Sequence, residues 1–130
     1  MAKTINVLCT KEPWGWLIVH GYKDIENRTW RTDYRGELYI STSKTPYEDE
    51  DKYIVDVERQ YGVKIPREQL RYGGIIGKII LVDCVTKSKS KWFQKGYYGF
   101  VLEHPKRIDF IPIKSQRMIF TMTAMPVKEV

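Results

Sequence analysis

Hydrophobic residues in this chain fall mostly into short runs with the spacing of β-strands. Residues 5–9 form an apolar run bounded by polar residues, and residues 37–41 alternate in polarity, so each segment predicts one strand. Residues 73–85 are richer still in isoleucine and valine and contain flanking glycines, which favours a long central strand over a helix. Gly77 within this run predicts a bend or bulge.

The last third of the chain predicts three further short strands. Residues 98–103, 108–111 and 118–123 each have the composition of a strand. Breaks at Pro105 and over residues 112–117 separate the three segments. With the runs in the first part of the chain, the sequence predicts about six strands.

A first helix is predicted immediately after Pro13, a residue that suits the first helical position. Trp14, Leu17 and Ile18 follow at the i, i+3 and i+4 spacing of one buried face. Gly21 suits a left-handed exit from the helix. The pattern therefore predicts a helix of about two turns.

A second helix is predicted between the acidic residues 48–51 and Gly62. The acidic run suits a first helical turn, where the helix dipole favours negative charge. Four carboxylates in succession point in different directions around a helix, so they do not predict a metal site. One helical face is formed by Tyr53, Ile54, Val57 and Tyr61.

These elements predict an α+β protein in which a mixed β-barrel of about six strands carries two or more flanking helices. A chain of 130 residues, 42% hydrophobic and 29% charged, fits a single domain over residues 1–130. The strand-rich second half must curl or close, because long exposed sheet edges invite aggregation. The elements alone assign no activity to this domain.

Several classes of site and location are disfavoured. No apolar run approaches the ~20 residues that cross a bilayer, and no signal peptide is recognisable, so we expect a cytoplasmic protein with no membrane partner. Cys9 and Cys84 form no CxxC pair and are expected to be buried, reduced thiols. His20 and His104 are too isolated to predict a metal site. No metal or other cofactor is expected, since dinucleotide and phosphate-loop motifs are also absent.

Positive charge is concentrated in the second half of the chain. Residues 1–63 hold 9 Lys or Arg against 11 Asp or Glu, whereas residues 64–117 hold 12 against 4. Within residues 86–95, cations surround Trp92 and Phe93, which suits phosphate attraction combined with base stacking. The alternative is a solubilising loop with both rings turned into the core. The candidate backbone contacts are Lys87, Lys89, Lys91 and Lys95.

Lys23, Glu26 and Arg28 place three charges within six residues, directly after the predicted first helix. Lys23 is expected to face solvent, where its ammonium suits a phosphate or a polarised carbonyl. Glu26 can accept a hydrogen bond from an exocyclic amino group, and Arg28 can present its planar fork to a phosphate or a base edge. Trp14 and Trp30 can each provide a stacking face. These five residues are candidate ligand contacts.

A purely structural role is the alternative for the same residues. Glu26 and Arg28 are two apart, so in an extended segment they project to the same side and can pair without a ligand. Such a network would anchor the first helix to the sheet, with both tryptophans in the core. Ser41 and Ser43 follow a strand and are further candidates to line the cleft as hydroxyl donors, or they simply terminate the strand.

The chain resembles the ASCH domain, a member of the PUA-like superfamily. The resemblance covers essentially the whole chain. Its most specific part is the pattern GxKxxExR, filled by Gly21, Lys23, Glu26 and Arg28. Supporting matches are Pro13-Trp14, Thr29-Trp30, Tyr34-Arg35-Gly36, Gly74-Ile75-Ile76-Gly77, Trp92, Tyr98-Gly99-Phe100 and Ile111-Pro112.

The resemblance implies a pseudo-barrel with a cleft beside the first helix, where GxKxxExR lies. It also implies a partner, because relatives in the superfamily bind RNA or modified bases. The expected function is therefore recognition of a base from RNA or a modified nucleotide.

The alternative is a metal-independent hydrolase of RNA or of a modified nucleoside, with Lys23 and Glu26 as acid–base partners. One hydrolytic branch that resembles this family deacetylates a cytidine amine with a threonine where this chain has Glu26. Thr29 does not match that register, so the amidohydrolase activity does not transfer directly. Other members resemble ribonucleases.

Overall fold

The computed structural model describes residues 2–124 and 128–130. Six strands form one sheet in the order β2-β5-β4-β3-β1-β6. β1 and β3 are parallel and the other neighbours are antiparallel, so the sheet is mixed. The strands are β1 (Lys3–Thr10), β2 (Ile25–Arg28), β3 (Gly36–Thr42), β4 (Gly74–Val85), β5 (Tyr98–Pro112) and β6 (Ile119–Ala124).

Two α-helices and one turn of 3₁₀ helix accompany the sheet: α1 (Trp14–Val19), α2 (Glu50–Tyr61) and the 3₁₀ turn Arg67–Gln69. Gly21 and Gly62 follow the two helices with φ of 82° and 68°, in the left-handed region that glycine adopts without strain. Both predicted helices and both glycine exits are confirmed. Neither helix is long and apolar enough to cross a membrane.

Gly77 lies at a bulge in β4, as predicted. Ile40 pairs with Gly77 but Ser41 pairs with Ile75, so Ile76 is the extra residue. A Cβ atom on Gly77 would lie 2.5 Å from Val19 of α1 and 2.5 Å from the Lys106 carbonyl oxygen. Glycine is therefore needed here because α1 packs directly on β4.

The predicted break at Pro105 is wrong, because β5 is one long strand. Lys78 pairs with Lys106 whereas Ile80 pairs with Glu103, so Pro105 lies in a bulge where no ladder hydrogen bond is required of it. His104, within the same bulge, has a φ of 53°. The sequence also gave no strand signal for the four-residue β2, which pairs with β5.

A closed barrel is not found among the described residues, since β2 and β6, the two edge strands, do not pair. The sheet nevertheless curls. Arg28 of β2 donates from Nη2 to the carbonyl of Cys9 in β1 at 2.7 Å, although three strands separate β2 and β1 in the sheet order. The Arg28 side chain therefore links β2 to β1, whereas a closed barrel would join its strands through backbone hydrogen bonds.

Helix α1 lies between two hydrophobic clusters. Ile18 packs with sheet residues such as Leu8, Leu38 and Phe100. Leu17 packs with α2, the 3₁₀ region and Trp92. The sheet, α1 and α2 are therefore successive layers, and the polar motif after α1 emerges at the boundary between them.

Candidate functional site

A cleft of about 710 Å³ lies between α2, the start of β2 and the segment before β5. One face of α2 lines it at the i, i+3, i+4, i+7, i+8 spacing of a helix. These α2 residues are Tyr53, Asp56, Val57, Gln60 and Tyr61. The other lining residues are Trp14, Lys23, Glu26, Asn27, Tyr47 and residues 91–94. This volume is within the usual range of small-molecule sites.

The floor of the cleft is a buried charge triad. Glu26 accepts from Lys23 at 2.8 Å through Oε1, and from Arg28 Nε and Nη2 at 3.1 and 2.9 Å through Oε2. The Lys23 ammonium also donates to the carbonyl of Ile25. Lys23 and Glu26 are only 5% and 8% exposed. Four hydrogen bonds therefore hold the triad, in which two cations share a single carboxylate.

The electrostatics of the triad favour an ionised carboxylate. Burial alone would raise the pKa of Glu26, but the adjacent Lys23 and Arg28 outweigh burial and hold that pKa below its ordinary value. The backbone of β2 supports this arrangement, because Glu26 and Arg28 project to the same side of an extended strand.

Aromatic rings form the walls of the cleft. Tyr47 stacks on Tyr53 with ring centroids 3.9 Å apart, and Tyr61 stacks on Trp92 at 4.1 Å. Trp14 stands edge-on to Tyr53 and Tyr61, at 6.1 Å from each. Its indole nitrogen lies 3.2 and 3.1 Å from the hydroxyls of Tyr47 and Tyr53. Burial, together with Tyr47, raises the pKa of Tyr53, so that hydroxyl stays protonated.

Asn27 fixes the position of the segment that completes the cleft. Its side chain donates to the carbonyl of Trp92 at 2.9 Å and accepts from the backbone N–H of Gln94 at 2.8 Å. Ser90 adds a bond to Asp24 at 2.6 Å. Asp24 and Asn27 therefore both hold residues 90–94 against β2.

A family model of the ASCH domain matches residues 8–114. The chain belongs to the ASCH family. It is 29% identical over 119 residues to Activating signal cointegrator 1 of Mus musculus, and 31% identical over 119 residues to that of Homo sapiens. Each match covers 86% of this chain and 19% of the relative, so the chain spans about a fifth of those proteins.

The ASCH motif residues are brought together, but not as free ligand contacts. The expectation that Lys23 faces solvent is wrong, because its side chain is buried against Glu26 and the Ile25 carbonyl. The alternative interpretation, an ion-pair network, is confirmed for Glu26 and Arg28. Lys23 and Glu26 still border the cleft, whereas Arg28 lies behind Glu26 and outside the lining.

Trp14 lines the cleft, whereas the other tryptophan predicted beside the motif does not. Trp14 is half-buried, with its ring 5.6 Å from the Lys23 ammonium. Trp30 instead packs edge-on against Phe100 at 5.1 Å, in the cluster of the sheet. The helical pattern placed Trp14 on one buried face with Leu17 and Ile18, and which of the two tryptophans reaches the cleft depends on the curl of the sheet.

The two serines proposed for the cleft lie elsewhere. Ser41 is fully buried, and its hydroxyl has no hydrogen-bond partner among the described residues. Ser43 caps its own turn through the Thr45 backbone at 3.2 Å. Neither residue lines the cleft.

The lysine-rich segment has exposed cations and a tryptophan that is turned into the core, as the solubilising-loop interpretation expects. Lys87, Lys89, Lys91 and Lys95 are all exposed, whereas Trp92 is 4% exposed and Phe93 is half-buried. Lys91 donates to the carbonyl of Tyr61 at 2.9 Å, at the C-terminal end of α2 where a cation is favoured. Lys91 is the only one of these four lysines that lines the cleft.

Sequence reasoning missed the tyrosine wall. The pattern of α2 predicted that Tyr53 and Tyr61 share a face with Ile54 and Val57, which is confirmed. It did not predict that the two apolar residues are buried while the tyrosines border a cavity. The amphipathic nature of tyrosine at both ends of that face was the available signal.

Among the described residues, the cysteines form no disulfide and the acidic residues indicate no metal site. Cys9 and Cys84 are free and half-buried, so the expected full burial of both thiols is wrong. Within the described ranges, no group of three or more His, Cys, Asp or Glu side chains is placed to hold a metal ion.

Proposed function

We propose that this ASCH domain binds RNA by holding one unstacked nucleobase, standard or modified, in the aromatic cleft. The observation that carries the proposal is the combination of an aromatic wall and a buried polar floor in a cavity of about 710 Å³. Stacking on aromatic rings contributes ~1–3 kcal/mol per base and accepts any base. The polar floor then supplies the selection.

The hydrogen-bonding capacity of the floor supports base recognition. An ionised carboxylate has about four acceptor positions, and three on Glu26 are used by Lys23 and Arg28. The ammonium of Lys23 has three donors, of which the Ile25 carbonyl and Glu26 take two. These contacts leave one acceptor position on Glu26 and one donor on Lys23 unused. A base with an amino group next to a ring nitrogen, as in cytosine or adenine, matches that pair.

Exposed cations near the cleft support an RNA backbone rather than a free base. Lys91 lies at the rim, and Lys87, Lys89 and Lys95 are exposed on the same segment. Lysines without rigid partners attract phosphate in a salt-dependent way. In this proposal the cleft reads one base while these lysines hold the strand.

The hydrolase alternative stays a prediction with Lys23 and Glu26 as its acid–base pair. The arrangement gives it less support than binding, because the Lys23 ammonium is already held by Glu26 at 2.8 Å and by the carbonyl of Ile25. Incubation of the protein with labelled RNA and with N4-acetylcytidine, analysed by chromatography, tests it directly. Turnover that is lost in Lys23→Ala would establish the enzyme.

A thermal-shift screen with ribonucleosides, modified ribonucleosides and short oligoribonucleotides tests the binding proposal. A ligand at 100 times its dissociation constant adds ~2.7 kcal/mol to the stability of the folded state, which gives a readily measured rise in melting temperature. We expect nucleosides with an exocyclic amino group to give the largest rises. No rise with any nucleoside or oligonucleotide would contradict the proposal.

A further inference from the structure

A second concave surface lies on the other side of α1. Trp14 lines the cleft, and Trp16 lines two adjoining hollows of about 750 and 390 Å³. Side chains two residues apart on an α-helix are related by a rotation of about 200° about the helix axis, so they project in nearly opposite directions. Helix α1 therefore separates the two sites. The hollows share Trp16, Val19, His20, Gln69, Arg107 and Val130, and we call them together the basic groove.

Stacked aromatic rings line the groove. Trp16 is nearly parallel to His20 at 4.2 Å and to Tyr22 at 5.5 Å. Trp16 itself is 5% exposed, but Tyr22 is 50% exposed, and Phe110 in the smaller hollow is 38% exposed. Of the five large hydrophobic side chains exposed in the described part of the chain, Tyr22, Phe110 and Val130 line this groove. The rings of Tyr22 and Phe110 are therefore accessible to a ligand in the groove.

Charge distinguishes the groove from the cleft. In the cleft, the cations Lys23 and Lys91 are balanced by Glu26 and Asp56. In the groove, four exposed cations face the exposed carboxylates of Asp109 and Glu129, of which Glu129 is paired with Lys106 at 3.1 Å. The buried Glu12 also lines the smaller hollow. The four cations are Lys64, Arg71, Lys106 and Arg107. A concave surface with an excess of one charge attracts ligands of the opposite charge.

His20 adds an acceptor between these cations. Its Nδ1 lies 2.9 Å from the carbonyl of Trp16. Burial lowers the pKa of His20, and Arg107 lowers it further, so the ring is neutral at pH 7 and donates from Nδ1 to that carbonyl. Nε2 is then an acceptor for a ribose hydroxyl or a base amino group. The groove therefore offers cations, stacking surfaces and an acceptor together.

We propose that the basic groove is a second contact surface for single-stranded nucleic acid, separate from the cleft. Lys64 and Arg107 contact phosphates, while bases stack on Tyr22 and Phe110. The mixture of cations and exposed rings is the one that binds single strands without sequence preference. The inference rests on the proposed function for the class of ligand, nucleic acid, but it assigns a different site.

Fluorescence anisotropy with a labelled oligouridylate of about 12 nucleotides tests the groove. Lys64→Ala with Arg107→Ala removes two groove cations, and Arg31→Ala with Arg117→Ala removes the same charge from exposed positions outside the cleft and the groove. The groove pair is expected to weaken binding about tenfold and to reduce the salt slope by about 1.4, since each phosphate contact contributes about 0.7 for single strands. The control pair is expected to change both quantities little.

The exposed ring is tested separately by Tyr22→Ala and Tyr22→Phe. Loss of stacking in Tyr22→Ala is expected to weaken binding about fivefold or more, while Tyr22→Phe keeps the ring and binds like the wild type. Tyr22 is half exposed, so circular dichroism should show that both variants remain folded.

The outcomes separate this inference from the cleft proposal. The groove proposal would be overturned if the groove pair and the control pair weakened oligouridylate binding equally. It would also be overturned if neither pair, nor Tyr22→Ala, changed that binding. A cleft variant, Tyr47→Ala, is measured alongside with the oligouridylate and with an oligocytidylate, whose base has the exocyclic amino group that the cleft is proposed to select. If Tyr47→Ala binds both strands normally while the groove variants fail, the groove stands and the cleft proposal falls. Binding of an acidic peptide but not of the oligouridylate would also overturn the assignment.

Discussion

The two sides of α1 each contain a buried glutamate, in opposite electrostatic settings. Glu26 beside the cleft is 8% exposed and paired with two cations, which hold its pKa below the ordinary value. Glu12 beside the groove is 1% exposed and accepts from the backbone N–H groups of Trp16 and Arg71, at 2.8 and 3.2 Å. Burial raises its pKa to about 7. The cleft therefore depends on an ionised Glu26 that is paired with two cations. The groove instead has exposed cations beside Glu12, whose carboxyl titrates near neutral pH.

The largest effect should come from breaking the compensated charge. Glu26→Gln keeps the shape of the side chain but leaves Lys23 and Arg28 close together without a carboxylate. Removing one partner of a buried ion pair costs about 3–5 kcal/mol, so the free energy of unfolding should fall by that amount. Urea denaturation followed by circular dichroism measures it.

Asp33→Asn is the matched control, because it breaks the Arg31–Asp33 pair, whose side chains are 63% and 81% exposed. Exposed pairs contribute little, so its unfolding curve should overlie that of the wild type. If Glu26→Gln were as stable as this control, the triad would not hold the cleft together.

A somewhat smaller effect is expected from pH at Glu12. The folded pKa of about 7 lies above the ordinary value of 4.5, so the stabilising contribution of protonated Glu12 is complete below pH 4.5 and is lost as pH rises to about 7. A shift of that size corresponds to a loss on the order of 3 kcal/mol. Glu12→Gln removes the titrating group, so its stability should lack this decline. Unfolding free energies between pH 4.5 and 8 test the prediction.

Two other groups must be separated from Glu12 in that experiment. The pKa of Glu26 is lowered, so its contribution is lost only as pH falls below the ordinary carboxyl range. The pKa of His20 is lowered too, but His20 is present in both proteins and cancels in their difference. A constant difference between wild type and Glu12→Gln across this range would contradict the titration of Glu12.

The smallest of the three effects should be on affinity rather than on stability. Tyr47 is half-buried and stacks on Tyr53 at 3.9 Å in the cleft wall. Tyr47→Ala should weaken nucleoside binding by ~1–3 kcal/mol, the value of one stacking contact, while Tyr47→Phe keeps the ring and most of the affinity. Isothermal titration calorimetry measures both variants. Equal losses in the two variants would show that the hydroxyl, not the ring, is what matters.

Local patterns predicted most of the fold. The spacing of Trp14, Leu17 and Ile18 gave α1, and Gly77 gave the bulge that α1 needs for close packing on the sheet. Long-range features were not predictable in the same way. Pro105 reads locally as a break, and only its partner strand shows that a bulge accommodates it. β2 has only four residues, so its pairing with β5 rather than its pattern makes it a strand.

The sequence predicted that the three charged motif residues lie together, but it did not predict their burial or most of the cleft lining. The motif identified Lys23, Glu26 and Arg28 as one group, which the triad confirms. Their burial depends on how tightly β2 approaches α1 and β1, a property of the tertiary structure. Tyr47 gave no signal, because it lies in a loop and reaches the cleft only through the packing of α2. The groove was missed for the same reason, since its cations come from distant parts of the chain.

The four tryptophans provide the most direct test of the central claim that the cleft holds a nucleobase. The indole N–H of Trp14 points to the cleft tyrosines, that of Trp16 donates to Gln69 at the groove, and Trp30 packs on the sheet. Titration of the ¹⁵N-labelled protein with a nucleoside should shift the indole resonances of Trp14 and Trp92 and leave that of Trp30 in place. Unchanged Trp14 and Trp92 resonances at saturating nucleoside would contradict the account.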